Sequence, residues 1–104
     1  MKLFVDSTNN RKTSLRLDDR EFVRTYDSPR HQDTFAFILD TLKTEGIAVK
    51  EITEIEVVPG PGSFTGSRLG IAIGNALAYA LNIKINGTNP PIRPVYSDKT
   101  TWKS

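Results

Sequence analysis

From Pro59 to Ile71 the chain reads Pro-Gly-Pro-Gly-Ser-Phe-Thr-Gly-Ser-Arg-Leu-Gly-Ile, and this stretch is the part best equipped for chemistry. A glycine-proline turn that leads into a helix leaves the first N–H groups of that helix without partners, and Ser63 or Thr65 is placed to cap them. Such a helix start can hold an anion, with Arg68 one turn further in. The Gly-Lys-Ser/Thr ending of a phosphate-binding loop is missing, so Gly60, Pro61, Gly62, Ser63, Phe64, Thr65 and Gly66 read first as a structural entry device. Hydrolytic chemistry at Ser63 or Thr65 needs a base, and the single histidine, His31, is far away in sequence. One histidine and no cysteine give no multi-histidine or thiolate metal site. No metal and no cofactor are expected. Asp6 ends the first strand and reads as a carboxylate bonding the following turn, with a metal- or phosphate-directed role as the alternative.

The helix after the turn carries more apolar surface than one sheet face can cover. On a helical wheel Leu69, Ala72, Ile73, Ala76 and Ala80 share one face, and Gly70, Gly74, Leu77, Ala78 and Leu81 share the next, with Arg68 and Asn75 as the polar ridge. Gly66, Gly70, Gly74 and Ala78 recur every four residues and form a shallow groove for close backbone approach. Two occupants are open: the first helix of this chain, or a helix from another subunit.

The other elements must position this helix. Met1 to Ser7 reads as a buried strand that ends at Ser7-Thr8-Asn9-Asn10. Thr13 to Leu17 and Glu21 to Tyr26 alternate apolar and polar residues around an Asp18-Asp19-Arg20 turn, completing a three-stranded meander. After Ser28-Pro29 the spacing of Phe35, Ile38, Leu39 and Leu42 predicts a helix with those residues on its core face and Gly46 as its cap. On that reading Phe37 points outward, where a docking surface would use it. Glu51 to Val58 reads as an inner strand, the second helix runs from about Thr65 to Leu81, and Ile83 to Gly87 reads as a last strand.

This order predicts an α/β fold, a five-stranded mixed sheet with both helices on one face, since each right-handed crossover lands there. It is the order of one lobe of the actin, hexokinase and Hsp70 (ASKHA, RNase H-like) superfamily, an analogy of fold alone. The chain of 104 residues is sized for one such lobe, residues 1–88, followed by an extended arm, 89–104, with Pro90, Pro91, Pro94, Tyr96 and Trp102. Asp6 breaks the apolar run Leu3-Phe4-Val5, so no leader is expected, and with no cysteine the expected location is cytoplasmic. The 14 Lys and Arg against 12 Asp and Glu are scattered rather than clustered, which argues against a dedicated nucleic-acid surface.

The glycine motif Gly60 to Gly66, then Arg68, Gly70-Ile71 and Ala76-Leu77-Ala78-Tyr79-Ala80-Leu81-Asn82-Ile83, resembles the signature of the TsaB (YeaZ) family of tRNA threonylcarbamoyladenosine (t6A) biosynthesis subunits. Asp6-Ser7-Thr8 stands where that family has Asp-Thr-Ser, and His31 stands at its histidine opening the first helix. Arg93-Pro94-Val95-Tyr96 through Trp102-Lys103 is similar to the extreme C-terminal segment of full-length family members. The chain therefore resembles a first lobe joined to the family's tail, without the second lobe between them. The resemblance implies a non-catalytic subunit that supports a TsaD-like transferase, with a TsaE-like ATPase in the larger complex and indirect contact with tRNA. It implies pairing through the two-helix face, expected to comprise Phe35, Phe37, Ile38, Leu42, Gly66, Gly70, Gly74, Leu77, Ala78 and Leu81. The same face is expected to close as a homodimer before the partner arrives. The alternatives kept beside it are a small nucleotide- or anion-binding module built on Asp6 and the glycine turn, and a lobe that binds tRNA directly.

Overall fold

A computed structural model describes residues 1–94; the expected arm from Val95 onward, with Tyr96 and Trp102, lies outside the described residues. Alternation of apolar and polar residues produces β1 (Lys2–Asn9), β2 (Lys12–Leu17) and β3 (Arg20–Thr25), an antiparallel meander with Leu3 opposite Leu17 and Val5 opposite Leu15. Then follow α1 (Thr34–Glu45), β4 (Glu54–Val57) and α2 (Phe64–Leu81). β4 lies parallel to β1, with Ile55 beside Leu3 and Val57 beside Val5, and the sheet order is β3-β2-β1-β4. Leu3, Val5, Leu15, Leu17, Ile55 and Val57 are all buried, and with Ile38, Leu42, Ile71 and Ala78 of the helices they form one core.

The sheet has four strands where the pattern predicts five. Ile85 makes a single parallel bridge to Ile55, and the chain then turns back at Asn86 and Gly87, whose φ angles are +51° and +78°. The Asn86 side chain supplies the next rung itself. Its Oδ1 accepts from the Val57 N–H at 2.8 Å, and its Nδ2 donates to the Val57 carbonyl at 2.9 Å. A side-chain amide thus satisfies the outer edge of β4 where a strand would have continued. β4 is also shorter than expected at its start. Glu51 accepts from the Ala48 N–H at 2.7 Å and holds Val49–Glu51 in a 3-10 turn, so Ile52 is buried from a turn rather than from a strand.

The first helix is rotated from the predicted setting. Thr34, Phe37, Ile38, Thr41 and Leu42 face the core, and Phe35 and Leu39 are 47% and 40% exposed. Phe37, predicted to point outward, is buried beneath the Arg24 guanidinium, 4.7 Å from its ring centroid. Two threonines claim core positions that hydrophobicity alone does not assign to them. Thr34 and Thr13 share a hydrogen bond of 3.0 Å, Tyr26 donates to Thr13 at 2.9 Å, and Thr41 returns its proton to the Phe37 carbonyl at 2.7 Å. Satisfied hydroxyls cost little to bury, so the helix turns its threonine side inward. Arg24 fastens the same edge through Asp33 and Asp40 at 2.9 and 3.1 Å.

The second helix also turns the opposite way from the expected docking face, presenting its glycine stripe to the sheet. A Cβ at Gly74 would stand 2.6 Å from Val57 Cγ2 and 2.8 Å from Ile85 Cδ1, and one at Gly66 or Gly70 would collide with Ser7. The groove therefore receives β1, β4 and Ile85, and neither the first helix nor a second subunit enters it.

Gly74→Leu is expected to cost about 2–3 kcal/mol or to prevent folding, read by urea denaturation, because the site has no room to relax. Burial holds the Tyr26 phenol above its ordinary value, with the Asp33 charge adding and the Thr13 bond opposing. The folded state then keeps that proton more tightly than the unfolded state. This contribution is complete below the unfolded value of about 10 and is lost as pH rises through the raised one. Tyr26→Phe should flatten that alkaline loss in stability measured against pH.

Candidate functional site

The glycine turn packs against the end of β1, bringing Asp6, Ser7, Thr8, Gly62, Ser63 and Gly66 together. Gly60 has φ +120°, a conformation that strongly favours glycine. Gly62 lies so close to Thr8 that a Cβ would be 2.6 Å from the threonine Cβ, and Ser63 N–H donates to the Thr8 carbonyl at 2.6 Å. Ser63 caps α2 by accepting from the Gly66 N–H at 3.1 Å, and Ser7 donates to the Gly66 carbonyl at 2.7 Å. Asp6 Oδ1 accepts from both the Thr8 N–H, at 3.0 Å, and the Thr8 hydroxyl, at 2.6 Å. Gln32 closes the cluster by donating to the Ser7 and Asn9 carbonyls.

The polar groups that could address a phosphate are thus engaged with one another. The turn joins β1, α1 and α2, which is what an entry device must do. His31 is exposed in the 3-10 turn Pro29–His31 ahead of α1, and Arg68 is exposed on the first turns of α2. Among the described residues no group of three or more His, Cys, Asp or Glu is gathered as a metal would require. No helix among them is long and apolar enough to cross a membrane.

A second surface is of a different kind. Phe35 of α1 and Ala72, Ile73, Ala76, Leu77 and Ala80 of α2 line a groove of about 420 Å³, almost wholly apolar. Its floor is the alanine face of α2, which the wheel separates from the glycine face. Of the residues predicted for an interface, Phe35 and Leu77 line this groove. Phe37, Ile38, Leu42 and Ala78 are core residues, Gly66, Gly70 and Gly74 face the sheet, and Leu81 is half-buried against the core. Ala72, Ile73, Ala76 and Ala80 read as one apolar stripe on the wheel, whereas the glycine spacing placed the expected docking residues on the side that meets the sheet.

Residues 25–91, which include both helices and the glycine turn, match the family model described as TsaD, tRNA N6-adenosine threonylcarbamoyltransferase. The chain is 32% identical over 63 residues to the tRNA N6-adenosine threonylcarbamoyltransferase of Geotalea uraniireducens, covering 60% of this chain and 18% of that one. It is 34% identical over 58 residues to the tRNA threonylcarbamoyladenosine biosynthesis protein TsaB of Escherichia coli, covering 56% of this chain and 25% of the relative. YeaZ from Pseudomonas aeruginosa superposes with a TM-score of 0.67 at 28% identity, over 81% of this chain and 42% of YeaZ. The chain belongs to the TsaB/YeaZ family, within the wider TsaD-like domain. It spans less than half the length of these relatives. The part it shares with YeaZ is a single α/β lobe, which in this chain holds the glycine turn and the two-helix groove.

Asp6→Ala should cost about 1 kcal/mol of stability, since both Thr8 donors lose their acceptor. Asp6→Asn, which keeps an acceptor oxygen, should recover most of it. Thermal unfolding of the two variants gives the comparison, and equal stability of all three proteins would show that the Asp6 bonds contribute nothing.

Proposed function

We propose that this lobe is a non-catalytic scaffold subunit supporting a TsaD-like transferase in t6A modification of tRNA. The apolar groove between α1 and α2 carries the reading. Phe35 stands half exposed beside an alanine stripe that exposes almost no polar atom. A large apolar face on a small domain is costly to leave in water and is the kind of surface that protein partners cover. Alanines lining the floor let a partner helix approach closely, and Phe35 at the rim supplies an aromatic anchor. The docking set is therefore Phe35, Ala72, Ile73, Ala76, Leu77 and Ala80. The glycines act from beneath, by seating α2 on the sheet.

The same groove serves for pairing of two copies before the transferase arrives, and a TsaE-like ATPase joins the larger complex without needing this face. The anion-module alternative loses ground at the glycine turn, where Asp6, Ser63 and Thr8 bond one another.

Phe35→Asp and Ala76→Glu each place a carboxylate in the groove at an exposed position. Each should weaken binding to the TsaD-like protein of the same cell by about 30-fold or more in calorimetry, the loss expected for a hot-spot residue. Circular dichroism should show both variants folded. Wild-type protein that fails to bind, or variants that bind as well as wild type, would overturn the assignment.

A further inference from the structure

The two edges of the sheet are finished differently. At β4 the outward main-chain groups of Ile55 and Val57 all have partners. Ile55 N–H donates to the Lys84 carbonyl at 3.2 Å, the Ile55 carbonyl accepts from the Asn86 N–H at 2.8 Å, and the Asn86 side chain takes both groups of Val57. At the other edge β3 has β2 on one side and no strand on the other. The alternation of an antiparallel ladder decides which of its groups are left over. Tyr26 N–H donates to the Arg11 carbonyl at 2.9 Å, so in a register that sets Thr13 opposite Arg24, Leu15 opposite Phe22 and Leu17 opposite Arg20, those three pairs carry the bonds to β2. Glu21, Val23 and Thr25 therefore turn their N–H and C=O groups outward.

An open row of this kind is a template for another strand, and edges that avoid pairing carry lysine, proline or a bulge. β3, Arg-Glu-Phe-Val-Arg-Thr, has none of these and pairs with β2 without a shift of register. Its two arginines are drawn inward onto α1, Arg20 paired with Glu45 and Arg24 with Asp33 and Asp40. Val23, in the middle of the strand, is left 51% exposed.

The residues of β3 also select the strand that fits. A second copy running antiparallel across a two-fold axis gives a closed dimer, and outward groups can bond only outward groups, so the axis must pass through a residue of the strand. Placed at Arg20 or Arg24 it sets two guanidinium groups face to face, at Glu21 two carboxylates, and at Phe22 it sets Arg20 opposite Arg24. Like charges directly opposite are destabilising. Placed at Thr25 it leaves most of β3 unpaired. At Val23 all three outward residues find partners, Val23 against Val23 of the second copy and Glu21 against its Thr25, while Phe22 lies opposite its Arg24 on the other face. No like charges meet within β3, and the pairs are apolar, hydrogen-bonding and cation–π in kind. We infer that two copies of this chain join through β3, antiparallel about an axis at Val23, merging their four-stranded sheets into one. Arg20 and Arg24 tie this edge to α1, and the groove lies on the side of α1 next to α2, so pairing at β3 leaves the groove open.

The test is sedimentation equilibrium, up to the millimolar range, of the whole chain carrying Phe35→Asp, which blocks pairing through the groove. It should show a monomer–dimer equilibrium. Adding Val23→Lys, at an exposed position, sets two lysines together on the axis and should weaken the dimer about tenfold or more, and Val23→Glu should do the same with two carboxylates. Because residue 23 faces its own copy, an equimolar mixture of the Lys and Glu variants should pair more tightly than either alone. Circular dichroism should show all of them folded. A Phe35→Asp chain that stays monomeric throughout, a dimer that Val23→Lys leaves unchanged, or a mixture that does not pair would overturn the inference. Transferase binding is read on Val23→Lys alone, whose groove is intact, and should match wild type. A lost dimer with transferase binding kept, or a dimer kept in a chain that ignores the transferase, tells the edge and the groove apart.

Discussion

Everything else in the lobe depends on how closely α2 lies on the sheet. Gly66 and Gly70 meet Ser7, and Gly74 meets Val57 and Ile85 where even a methyl group has no room. Three glycines in a helix interior cost about 1 kcal/mol each against alanine. That cost is offset by bringing the helix backbone onto β-branched side chains that no larger residue would let it reach, and by the buried Ser7 bond to the Gly66 carbonyl. Once the glycine stripe is committed to the sheet, the orientation of α2 is settled. Its alanine stripe must then face outward, whatever covers it.

The orientation of α1 follows a related logic with polar groups in place of small ones. Thr13, Thr34 and Tyr26 share hydroxyl bonds across β2, α1 and the end of β3. Meeting those partners turns Thr34 inward and carries Phe37 under Arg24, and it leaves Phe35 and Leu39 exposed, with Phe35 next to α2. The open groove is therefore the joint remainder of two helices that each spend another face on the core. Neither helix forms it alone.

This explains what could be read from the residues and what could not. Strand alternation placed β1, β2 and β3 within a residue or two, and the Gly46 cap and the glycine-proline turn marked the helix ends, because each of those signals is local. The wheel of α2 separated an alanine face from a glycine face, except that Leu77, placed with the glycines, lines the groove with the alanines. Which face met the sheet could not be read from spacing, since small residues serve close packing against a strand as well as against a helix. Phe37 was misplaced for a similar reason: hydrophobicity weighs phenylalanine above threonine, and only a partner hydroxyl across the core makes Thr34 a buried residue. The fifth strand failed at Asn86, where the alternating pattern ran on through a residue whose side chain, with the left-handed backbone beneath it, replaces the strand it was expected to extend.

Two asparagines thus shape the end of the lobe by imitating backbone. Asn86 closes the β4 edge and turns the chain back, and Asn75, the only amide side chain within α2, receives it at Ile92 with the paired bonds of a strand neighbour. Because the sheet stops short, the returning chain crosses near the end of α2 and does not run on alongside β4. A hollow beside Tyr79 is a consequence of that shortened path, and a full fifth strand would carry Asn89 and Pro90 away from it. The same economy that lets an amide stand in for a strand therefore leaves the Tyr79 ring open at the end of α2, one to two turns beyond Ala76 and Ala72 of the apolar groove.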